Sequence, residues 1–267
     1  MDGLNLNTDK MLASIENGVG TMTYNQPEKR NAVSHEMRLA IIDILNSFAQ
    51  NPDVRVVVIT GAGGKAFVSG ADISEFDSKR STPEQIADYG AVSRRVGEAY
   101  AGLGKPLIAM IRGFCLGGGL ATALNADIRI ATDGSRFGIP AARLGLGFGF
   151  EGVKSLAAVV GRSNAAEILY TARQFSGDEA LAMGLVNRVV PDDALESTVR
   201  DLAGEIAENA PLTLRSLNFS LRETAKDPGD RDVARIQELI DSCMASEDYI
   251  EGRRAFMEKR KAVFKGR

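Results

Sequence analysis

The chain has 267 residues, 44% of them hydrophobic and 25% charged, which are the proportions of a globular protein long enough to bury a substantial core. A formal charge of −3 offers no general attraction for nucleic acid, and one histidine with two widely separated cysteines argues against a metal cluster, a histidine-based triad or a disulfide. The N-terminus lacks a signal-peptide pattern and no apolar run reaches membrane-spanning length, so we expect a cytoplasmic protein whose partners include neither membranes nor nucleic acid.

The predicted elements begin with a β-hairpin. Two β-like runs, Met11–Glu16 and Val19–Asn25, flank the turn signal Asn17-Gly18. Ser34 then predicts the start of a helix, because a serine hydroxyl can accept a hydrogen bond from an amide of the first helical turn. Four apolar residues at helical spacing define the face that this helix buries: Met37, Ile41, Leu45 and Phe48.

Beyond this helix, strand-like and helix-like segments alternate. The strand signals are runs rich in β-branched or aliphatic residues: Arg55–Thr60, Leu107–Ile111 and Asp127–Ala131. Such alternation predicts a layered α/β domain over residues 1–191 with at least partly parallel strands.

From about residue 192 the strand signals disappear and apolar stripes at helical spacing follow. The first three stripes contain Leu195, Val199, Leu202 and Ile206; Leu214, Leu217 and Leu221; and Val233, Ile236, Ile240 and Met244. Ser246 predicts the start of a last helix that carries Phe256 and ends near Lys259. These apolar faces exceed what one small core buries, so we expect residues 192–267 to form a helical oligomerisation region.

Two glycine-rich segments invite a nucleotide-binding interpretation, which their context does not favour. Gly61–Lys65 is too short for a phosphate-binding loop and has no Ser or Thr after the lysine, which favours a tight turn. Gly147–Gly152 fits the pattern G-x-G-x-x-G, but neither a convincing preceding strand nor a suitably spaced acidic residue accompanies it.

Two other segments, Lys65–Ile73 and Gly113–Leu120, place small residues where a strand gives way to a helix. Small side chains let a ligand approach backbone N–H groups, which lack acceptors in the first turn of a helix. Two such groups aimed at one carbonyl oxygen would form an oxyanion hole, although two purely structural turns fit the pattern equally well. Asp72 and Glu75 have the spacing of a capping box, so Asp72 is interpreted as a helix cap.

Seven stretches in constant order, covering nearly the whole chain, resemble the crotonase (enoyl-CoA hydratase/isomerase) superfamily: Asn25–Ala32, Lys65–Ile73, Gly113–Gly119, Asn125–Ala131, Arg136–Pro140, Ala180–Val190 and Glu251–Arg260. Each stretch is weakly specific alone, and the ordered set is specific. The resemblance implies a spiral of ββα turns, a C-terminal helical trimerisation region, and a homotrimer or a dimer of trimers. It also implies an acyl-CoA substrate, with coenzyme A as part of the substrate and no separate cofactor or metal.

The resemblance assigns roles by position around the thioester. It places the two oxyanion-hole amides at Ala71 and Gly118. It also places the adenine end of coenzyme A against the backbone of the segment that runs from Ser69 through Asp72 to Ile73.

The resemblance further implies that four side chains contact coenzyme A. Lys29 and Arg30 are expected near its phosphates, while Phe256 and Lys259 match positions that reach coenzyme A bound to an adjacent subunit. Lys29, Arg30 and Lys259 fit equally well as solvated surface charges with no role in binding.

The sequence departs from the family at the acid/base positions. Hydratases of this family carry two glutamates that position and activate water, but Ala121 and Ala141 occupy these positions here. Positioned acid/base groups are typically worth on the order of 10²–10⁴ in rate, so ordinary hydratase efficiency is not expected from this pair.

A carboxylate elsewhere in the pocket is the first candidate to replace them. Glu151 lies in the segment Gly145–Gly152, which lines the acyl pocket in the family, and we predict it as the acid/base group. Alternatively it only favours the dipole of the helix predicted for Gly152–Val160. Arg143 is a weaker candidate for binding a polar or anionic acyl group, and Phe148 is expected to shape an apolar pocket.

The main hypothesis is therefore a lyase or isomerase that stabilises a thioester enolate in a backbone oxyanion hole. A thioester hydrolase or decarboxylase of the same fold is one alternative, because both reactions also need an oxyanion hole. A noncatalytic acyl-CoA-binding protein is another, which the two missing glutamates favour. RNA binding is a third, which the acidic composition disfavours.

Overall fold

The computed structural model describes residues 6–75 and 81–267, and its strands form two sheets. In chain order the strands are β1 (Met11–Glu16), β2 (Val19–Tyr24), β3 (Val56–Gly61), β4 (Ala66–Val68), β5 (Leu107–Ile111), β6 (Phe114–Leu116), β7 (Ile128–Thr132), β8 (Arg136–Gly138), β9 (Phe175–Ser176) and β10 (Arg188–Val190). The predicted hairpin is confirmed: β1 and β2 pair antiparallel, and the φ angles of Asn17 and Gly18 are 49° and 82°, as a two-residue turn of this kind requires.

The two sheets are built up together as the chain advances. The larger has the spatial order β1-β2-β3-β5-β7-β10, and the smaller has the order β4-β6-β8-β9. From β3 to β8, successive turns of the chain add one strand to each sheet, and these strands pair parallel with those of the previous turn. Strand β9 then joins the smaller sheet antiparallel to β8, and β10 joins the larger sheet parallel to β7. A helix follows most of these strand pairs, so the predicted spiral of ββα turns is confirmed.

Helices cover the sheets and then extend beyond them. Those of the spiral are α1 (His35–Gln50), α2 (Pro83–Gly102), α3 (Gly118–Ala123), α4 (Phe150–Thr171) and α5 (Gly177–Ala182). Those of the C-terminal part are α6 (Leu195–Ala207), α7 (Pro211–Thr224), α8 (Val233–Met244) and α9 (Glu247–Glu258). Helix α4 contains a kink at Gly161, whose φ of 74° is outside the helical range.

Helix α1 forms as the sequence predicts. The Ser34 hydroxyl accepts a hydrogen bond from the Met37 amide at 3.3 Å, which caps the helix. The four predicted apolar positions are buried in the main core, together with Val57 and Ile59 of β3. Burial of this apolar face fixes the helix against the larger sheet.

The opposite face of the larger sheet is also covered. Because side chains alternate across a strand, Val56 and Val58 of β3 point away from the main core. They pack with Leu195 and Val199 of α6 in a second apolar cluster. The hydrophobic run of β3 therefore reflects a strand that is buried on both faces.

Helices α7 to α9 lie farther from the sheets. Helix α7 is tied to the spiral by Arg222, which donates to the Tyr100 carbonyl oxygen at 2.9 Å, and by Asn218, which donates to the Asp127 carboxylate at 3.3 Å. The predicted cap at Ser246 is confirmed, because its hydroxyl accepts from the Tyr249 amide at 3.1 Å. The domain division after residue 191 stays a prediction.

Within the two described ranges, no helix has the length and apolar character needed to span a membrane.

The packing of α6 on the sheet yields a stability prediction. Leu195 is fully buried, so Leu195→Ala should lower the free energy of unfolding by about 2–5 kcal/mol through lost burial and a residual cavity. Urea unfolding measures this change. The control Leu12→Ala, at a position 48% exposed, should change it by less than about 0.5 kcal/mol. Equal effects of the two substitutions would contradict the packing of α6.

Candidate active site

A cavity of about 540 Å³ lies between α1, α2, α3 and the segment from residue 139 to residue 152. Its wall is mostly apolar and includes Ile41, Val96, Ile139 and Phe148. Both segments that sequence analysis proposed for an oxyanion hole reach it, since Ala71 and Gly118 line the wall. A cleft of this size and character is the expected form of a small-molecule site.

Ala71 and Gly118 meet because of the strand topology. They follow β4 and β6, which are parallel neighbours in the smaller sheet. Since the carboxyl ends of parallel neighbours lie at one edge of a sheet, the turns that follow them are adjacent. A Cβ atom added to Gly118 would lie 3.5 Å from the Ala71 nitrogen, and one added to Gly70 would lie 3.8 Å from the Gly118 nitrogen.

Both amides lack a backbone acceptor within the described part of the chain. Gly118 is the first residue of α3, where an N–H has no intrahelical partner. Around Ala71, the neighbouring amides do pair: Val33 donates to the Gly70 oxygen at 2.8 Å, and Asp72 donates to the Val33 oxygen at 3.0 Å. The Ala71 N–H lies between these two bonds and takes part in neither.

Two glycines make the close approach of these turns possible. Gly117 has φ 53° and ψ −117°, a combination that side-chain-bearing residues avoid. Gly119 packs against β4 so closely that a Cβ atom would lie 1.9 Å from the Val68 oxygen. The glycine triplet therefore positions α3, whose N-terminus carries the Gly118 amide.

Ala121 and Ala141, the positions at which the family resemblance leads us to expect the glutamates of a hydratase, both line the cavity. Ala121 lies on α3, one turn after Gly118, and Ala141 follows Pro140 in a 3-10 turn. No Asp or Glu of the described residues lines this cavity. The wall therefore offers no carboxylate for proton transfer within that part of the chain.

Asp72 lies beside the Ala71 amide and is engaged by its neighbours. Its carboxylate accepts hydrogen bonds from Lys29 Nζ at 2.7 Å and from the Ser74 amide and hydroxyl at 3.0 Å and 2.6 Å. Burial acts to raise the pKa of Asp72, but these hydrogen bonds outweigh it and lower the pKa to about 2. The carboxylate caps the 3-10 turn Ile73–Glu75, as the helix-cap interpretation expected.

The predicted capping box at Asp72 and Glu75 is wrong in one of its hydrogen bonds, the one that the Asp72 amide would donate to the Glu75 carboxylate. The Glu75 carboxylate accepts a hydrogen bond from the His35 amide at 2.8 Å and so caps α1. The Asp72 amide, which the capping box would use, donates to Val33 instead. The bridge between Val33 and Ala71 brings α1 next to this turn, which the local spacing does not reveal.

The proposed coenzyme A residues lie on both sides of the turn. Ser69 and Ile73 line the cavity, and Ile73 is exposed. Lys29 is committed to the Asp72 carboxylate, whereas the Arg30 guanidinium lies 5.0 Å from the centroid of the Phe114 ring. Their contacts with coenzyme A stay predictions.

The predicted acyl-pocket residues fall into two groups. Phe148 lines the cavity and packs on Gly152, where an added Cβ atom would lie 2.7 Å from the ring. Glu151 and Arg143 are exposed and are not part of the wall. Helix α4 begins at Phe150, two residues before the predicted start, so Glu151 lies in its first turn. Its catalytic role stays a prediction.

Phe256 and Lys259 lie away from this cavity in the single chain. Phe256 is 83% exposed and lines a second cavity of about 910 Å³ formed by α7, α8 and α9. Lys259 is the residue that ends α9 and has a left-handed backbone conformation with φ 53°. Their predicted contact with coenzyme A of a neighbouring subunit remains untested.

Sequence analysis missed a polar group in the wall that is contributed by α1 and α2. The Arg38 guanidinium lies 3.9 Å from the centroid of the Tyr89 ring and donates a hydrogen bond to its hydroxyl, and both residues line the cavity. Arg38 is buried and precedes Ile41 by three residues, so it shares the face that the helix buries. A charged residue on a buried face was the signal that could have identified it.

Sequence analysis also missed a set of buried hydroxyls behind the wall. Tyr24 and Tyr100 share a hydrogen bond, with 2.8 Å between their hydroxyl oxygens. Burial raises the pKa of Tyr24 to about 12, against a smaller opposing effect of its hydrogen bonds. Burial likewise raises the pKa of Tyr100 well above its ordinary value. No local pattern links Tyr24 with Tyr100, since only the fold brings them together.

The family model for enoyl-CoA hydratase/isomerase matches residues 14–267 of this chain. Among curated proteins, a crotonyl-CoA hydratase of Syntrophomonas wolfei is 35% identical over 96% of this chain and 98% of that protein. A short-chain-enoyl-CoA hydratase of Clostridium acetobutylicum is 34% identical over 95% of this chain and 96% of that protein. Among solved structures, an enoyl-CoA hydratase of Bacillus anthracis is 30% identical and superposes with a TM-score of 0.89, covering 97% of this chain and all of the other.

The Lys29–Asp72 pair predicts a pH-dependent contribution to stability. A folded-state pKa of about 2, below the ordinary value of 3.8, stabilises the fold above pH 3.8, and this contribution is lost as the pH falls toward 2. Lys29→Met should therefore lower the free energy of unfolding by about 1 kcal/mol near pH 6, because Lys29 is half-exposed and partly screened.

Urea unfolding of both forms between pH 7 and pH 3 measures the difference, which should shrink at the acidic end. Lys10→Met is the matched control, because Lys10 and Glu36 form an exposed pair for which a change below about 0.5 kcal/mol is expected. A loss in Lys29→Met that does not vary with pH would contradict the assignment to Asp72.

Proposed function

The chain belongs to the enoyl-CoA hydratase/isomerase family, and from this premise we propose that it binds an acyl-CoA thioester and polarises the carbonyl with the N–H groups of Ala71 and Gly118. The observation that carries the proposal is the juxtaposition of these two amides at the wall of one cavity. Neither amide has a backbone acceptor in the described chain, so both are available to a carbonyl oxygen.

The proposed chemistry follows from where charge develops. When a bond to the α- or β-carbon changes, negative charge moves onto the thioester oxygen as an enolate. Two fixed N–H donors at that point stabilise the charge without reorganising, and removing one such donor typically costs about 2.7–4 kcal/mol in the transition state. The N-terminal end of α3 adds a favourable dipole contribution at Gly118.

We propose that the rest of coenzyme A runs outward past Ser69, Asp72 and Ile73. Arg30 is the better of the two phosphate candidates, because Lys29 already pairs with Asp72. The Arg30 guanidinium lies over the Phe114 ring, 5.0 Å from its centroid, and a guanidinium offers the planar pair of donors that phosphate accepts.

The exact reaction on the acyl group is a separate question. Glu151 remains the proposed carboxylate for proton transfer, supported by the cavity-lining position of Gly149 and Gly152 on either side of it. Arg143 remains the proposed contact for a polar acyl group. A thioester hydrolase or decarboxylase needs the same oxyanion hole, and a noncatalytic acyl-CoA-binding protein needs only the cavity.

A panel of enoyl-, hydroxyacyl- and malonyl-type CoA esters separates these functions. Hydration or isomerisation of an enoyl-CoA supports the lyase or isomerase, and release of free coenzyme A or carbon dioxide supports the hydrolase or decarboxylase. Tight binding with no turnover of any ester would support the noncatalytic protein and contradict an enzymatic function.

We also propose that the chain acts as a homotrimer or a dimer of trimers formed through α7 to α9. These helices expose apolar side chains that a monomer would leave in water: Leu217, Leu221, Val233, Met244, Ile250, Phe256 and Met257. Contact between copies would bury this surface and bring Phe256 and Lys259 toward coenzyme A of a neighbour.

The oxyanion-hole proposal predicts that Gly118→Pro lowers kcat by about 10²–10³ on whichever ester is turned over. Proline removes the N–H but is tolerated at the first position of a helix. Binding of free coenzyme A, measured by calorimetry, should change little, which together with the circular dichroism spectrum shows that the protein is folded. Turnover close to that of the unmodified protein would contradict the assignment.

The assembly proposal predicts that Met257→Asp lowers the oligomer mass measured by analytical ultracentrifugation. Met257 is 80% exposed in the single chain, and a carboxylate buried in an apolar interface is strongly unfavourable. The control Tyr170→Asp alters a side chain that is 81% exposed on α4, outside the proposed interface, and should leave the mass unchanged. An unchanged mass in Met257→Asp would exclude Met257 from the interface.

A further inference from the structure

A cationic side chain lies in the wall of the mostly apolar cavity. Arg38, on α1, is only 8% exposed and is one of the residues that line the cavity. Its guanidinium lies over the ring of Tyr89, on α2, with 3.9 Å to the centroid, and it donates a hydrogen bond to the Tyr89 hydroxyl. Tyr89 lines the cavity as well. The charge of Arg38 is therefore held where α1 and α2 meet the cavity.

The helix that carries Arg38 begins beside the oxyanion-hole segment. Val33 forms the parallel bridge with Ala71, and Ser34 caps α1. Arg38 follows Ser34 by four residues, a rise of about 6 Å along a helix axis. Arg38 is thus about one helical turn from the segment that carries the Ala71 amide, a separation on the scale of a short acyl chain.

Charge in the cavity wall has one sign. Among the described residues that line the cavity, Arg38 alone carries a formal charge. A positive charge beside apolar surface interacts with a ligand charge more strongly than it would in bulk water. A neutral hydrocarbon chain in the cavity would desolvate the guanidinium without supplying an acceptor, whereas a carboxylate would supply both an acceptor and the opposite charge.

The shape of a guanidinium also suits a carboxylate. It offers five N–H donors in one plane, so it can serve protein partners and a ligand at the same time. Two parallel donors match the two oxygens of a carboxylate, and such bidentate pairs are among the stronger hydrogen bonds in proteins. The ring of Tyr89 holds the guanidinium plane of Arg38, so less side-chain freedom is lost when a ligand binds.

We propose that Arg38 selects acyl-CoA esters whose acyl chain ends in a carboxylate. The thioester lies at the amides of Ala71 and Gly118, and the terminal carboxylate pairs with the Arg38 guanidinium, which Tyr89 holds in position. This selection rests on the proposed function, because it requires the acyl group to occupy the cavity. Arg38 is better placed for the contact than Arg143, which is exposed and is not part of the wall.

The test uses the full-length protein and pairs of saturated CoA esters, which cannot be hydrated. Succinyl-, glutaryl- and adipyl-CoA carry a carboxylate where butyryl-, pentanoyl- and hexanoyl-CoA, respectively, carry the terminal methyl group. Calorimetry gives the Kd of each ester. In the unmodified protein we expect at least one dicarboxylate ester to bind about 10- to 100-fold more tightly than its neutral partner.

Substitutions assign this preference to one side chain. Arg38→Met should weaken binding of the preferred dicarboxylate ester by about 10- to 100-fold and change binding of its neutral partner by less than about threefold. Arg38→Lys keeps the charge without the planar fork and should keep part of the preference. The control Arg95→Met makes the same change in net charge at an exposed residue of α2 outside the wall, and it should alter neither Kd by more than about twofold.

The outcomes separate this selection from the proposed function. Neutral esters that bind as tightly as their dicarboxylate partners at every chain length would overturn the selection and leave the proposed function standing. Equal weakening of both partners in Arg38→Met would give Arg38 a purely structural role and would also overturn it. Absence of binding by every ester would overturn the proposed function itself. Should Arg38→Met fail to fold, Arg38→Lys decides: a reduced preference supports the contact, and an unchanged preference overturns it.

Discussion

The site depends on two backbone N–H groups that are held side by side with no backbone acceptor in the described chain. An amide in this state gives up about a hydrogen bond's worth of stability, so the surrounding structure must hold it in place. The main chain holds the two amides in place. A parallel bridge at Val33 fixes the turn at Ala71, and the glycine triplet fixes the N-terminus of α3. In the proposed function, this cost is recovered when a carbonyl oxygen accepts hydrogen bonds from both amides, most strongly when that oxygen bears charge.

The spiral fold explains why residues 47 positions apart in sequence become neighbours. Each turn of the spiral ends a strand of the smaller sheet at the same edge, so the loops after β4 and β6 are stacked next to each other. The same arrangement places α2 and α3 around the cavity and sets Tyr24 of β2 behind it. The polar groups of the wall thus come from elements that follow different turns of the spiral.

Local signals in the sequence predicted much of this fold, and the failures have a common cause. The Asn17-Gly18 hairpin, the Ser34 and Ser246 caps and the buried face of α1 depend on residues close together in the chain, and each is confirmed. Glu75 was misassigned because its partner, the His35 amide, lies forty residues away. Arg38 and the Tyr24–Tyr100 pair were missed for the same reason. The burial of a cation or a hydroxyl can be inferred from the sequence only when the buried face of its helix or strand is already known. The family resemblance identified Ala71 and Gly118 through positions in motifs, and the topology supplies the physical reason that they meet.

The most direct measurement of the central claim is the infrared spectrum of a bound thioester carrying a ¹³C label at its carbonyl carbon. If the Ala71 and Gly118 N–H groups both donate to that oxygen, the C=O stretching band should move to lower frequency on binding and should return most of the way when the Gly118 N–H is removed. A band that keeps its solution frequency in the complex, or that shifts equally without the Gly118 N–H, would contradict the account.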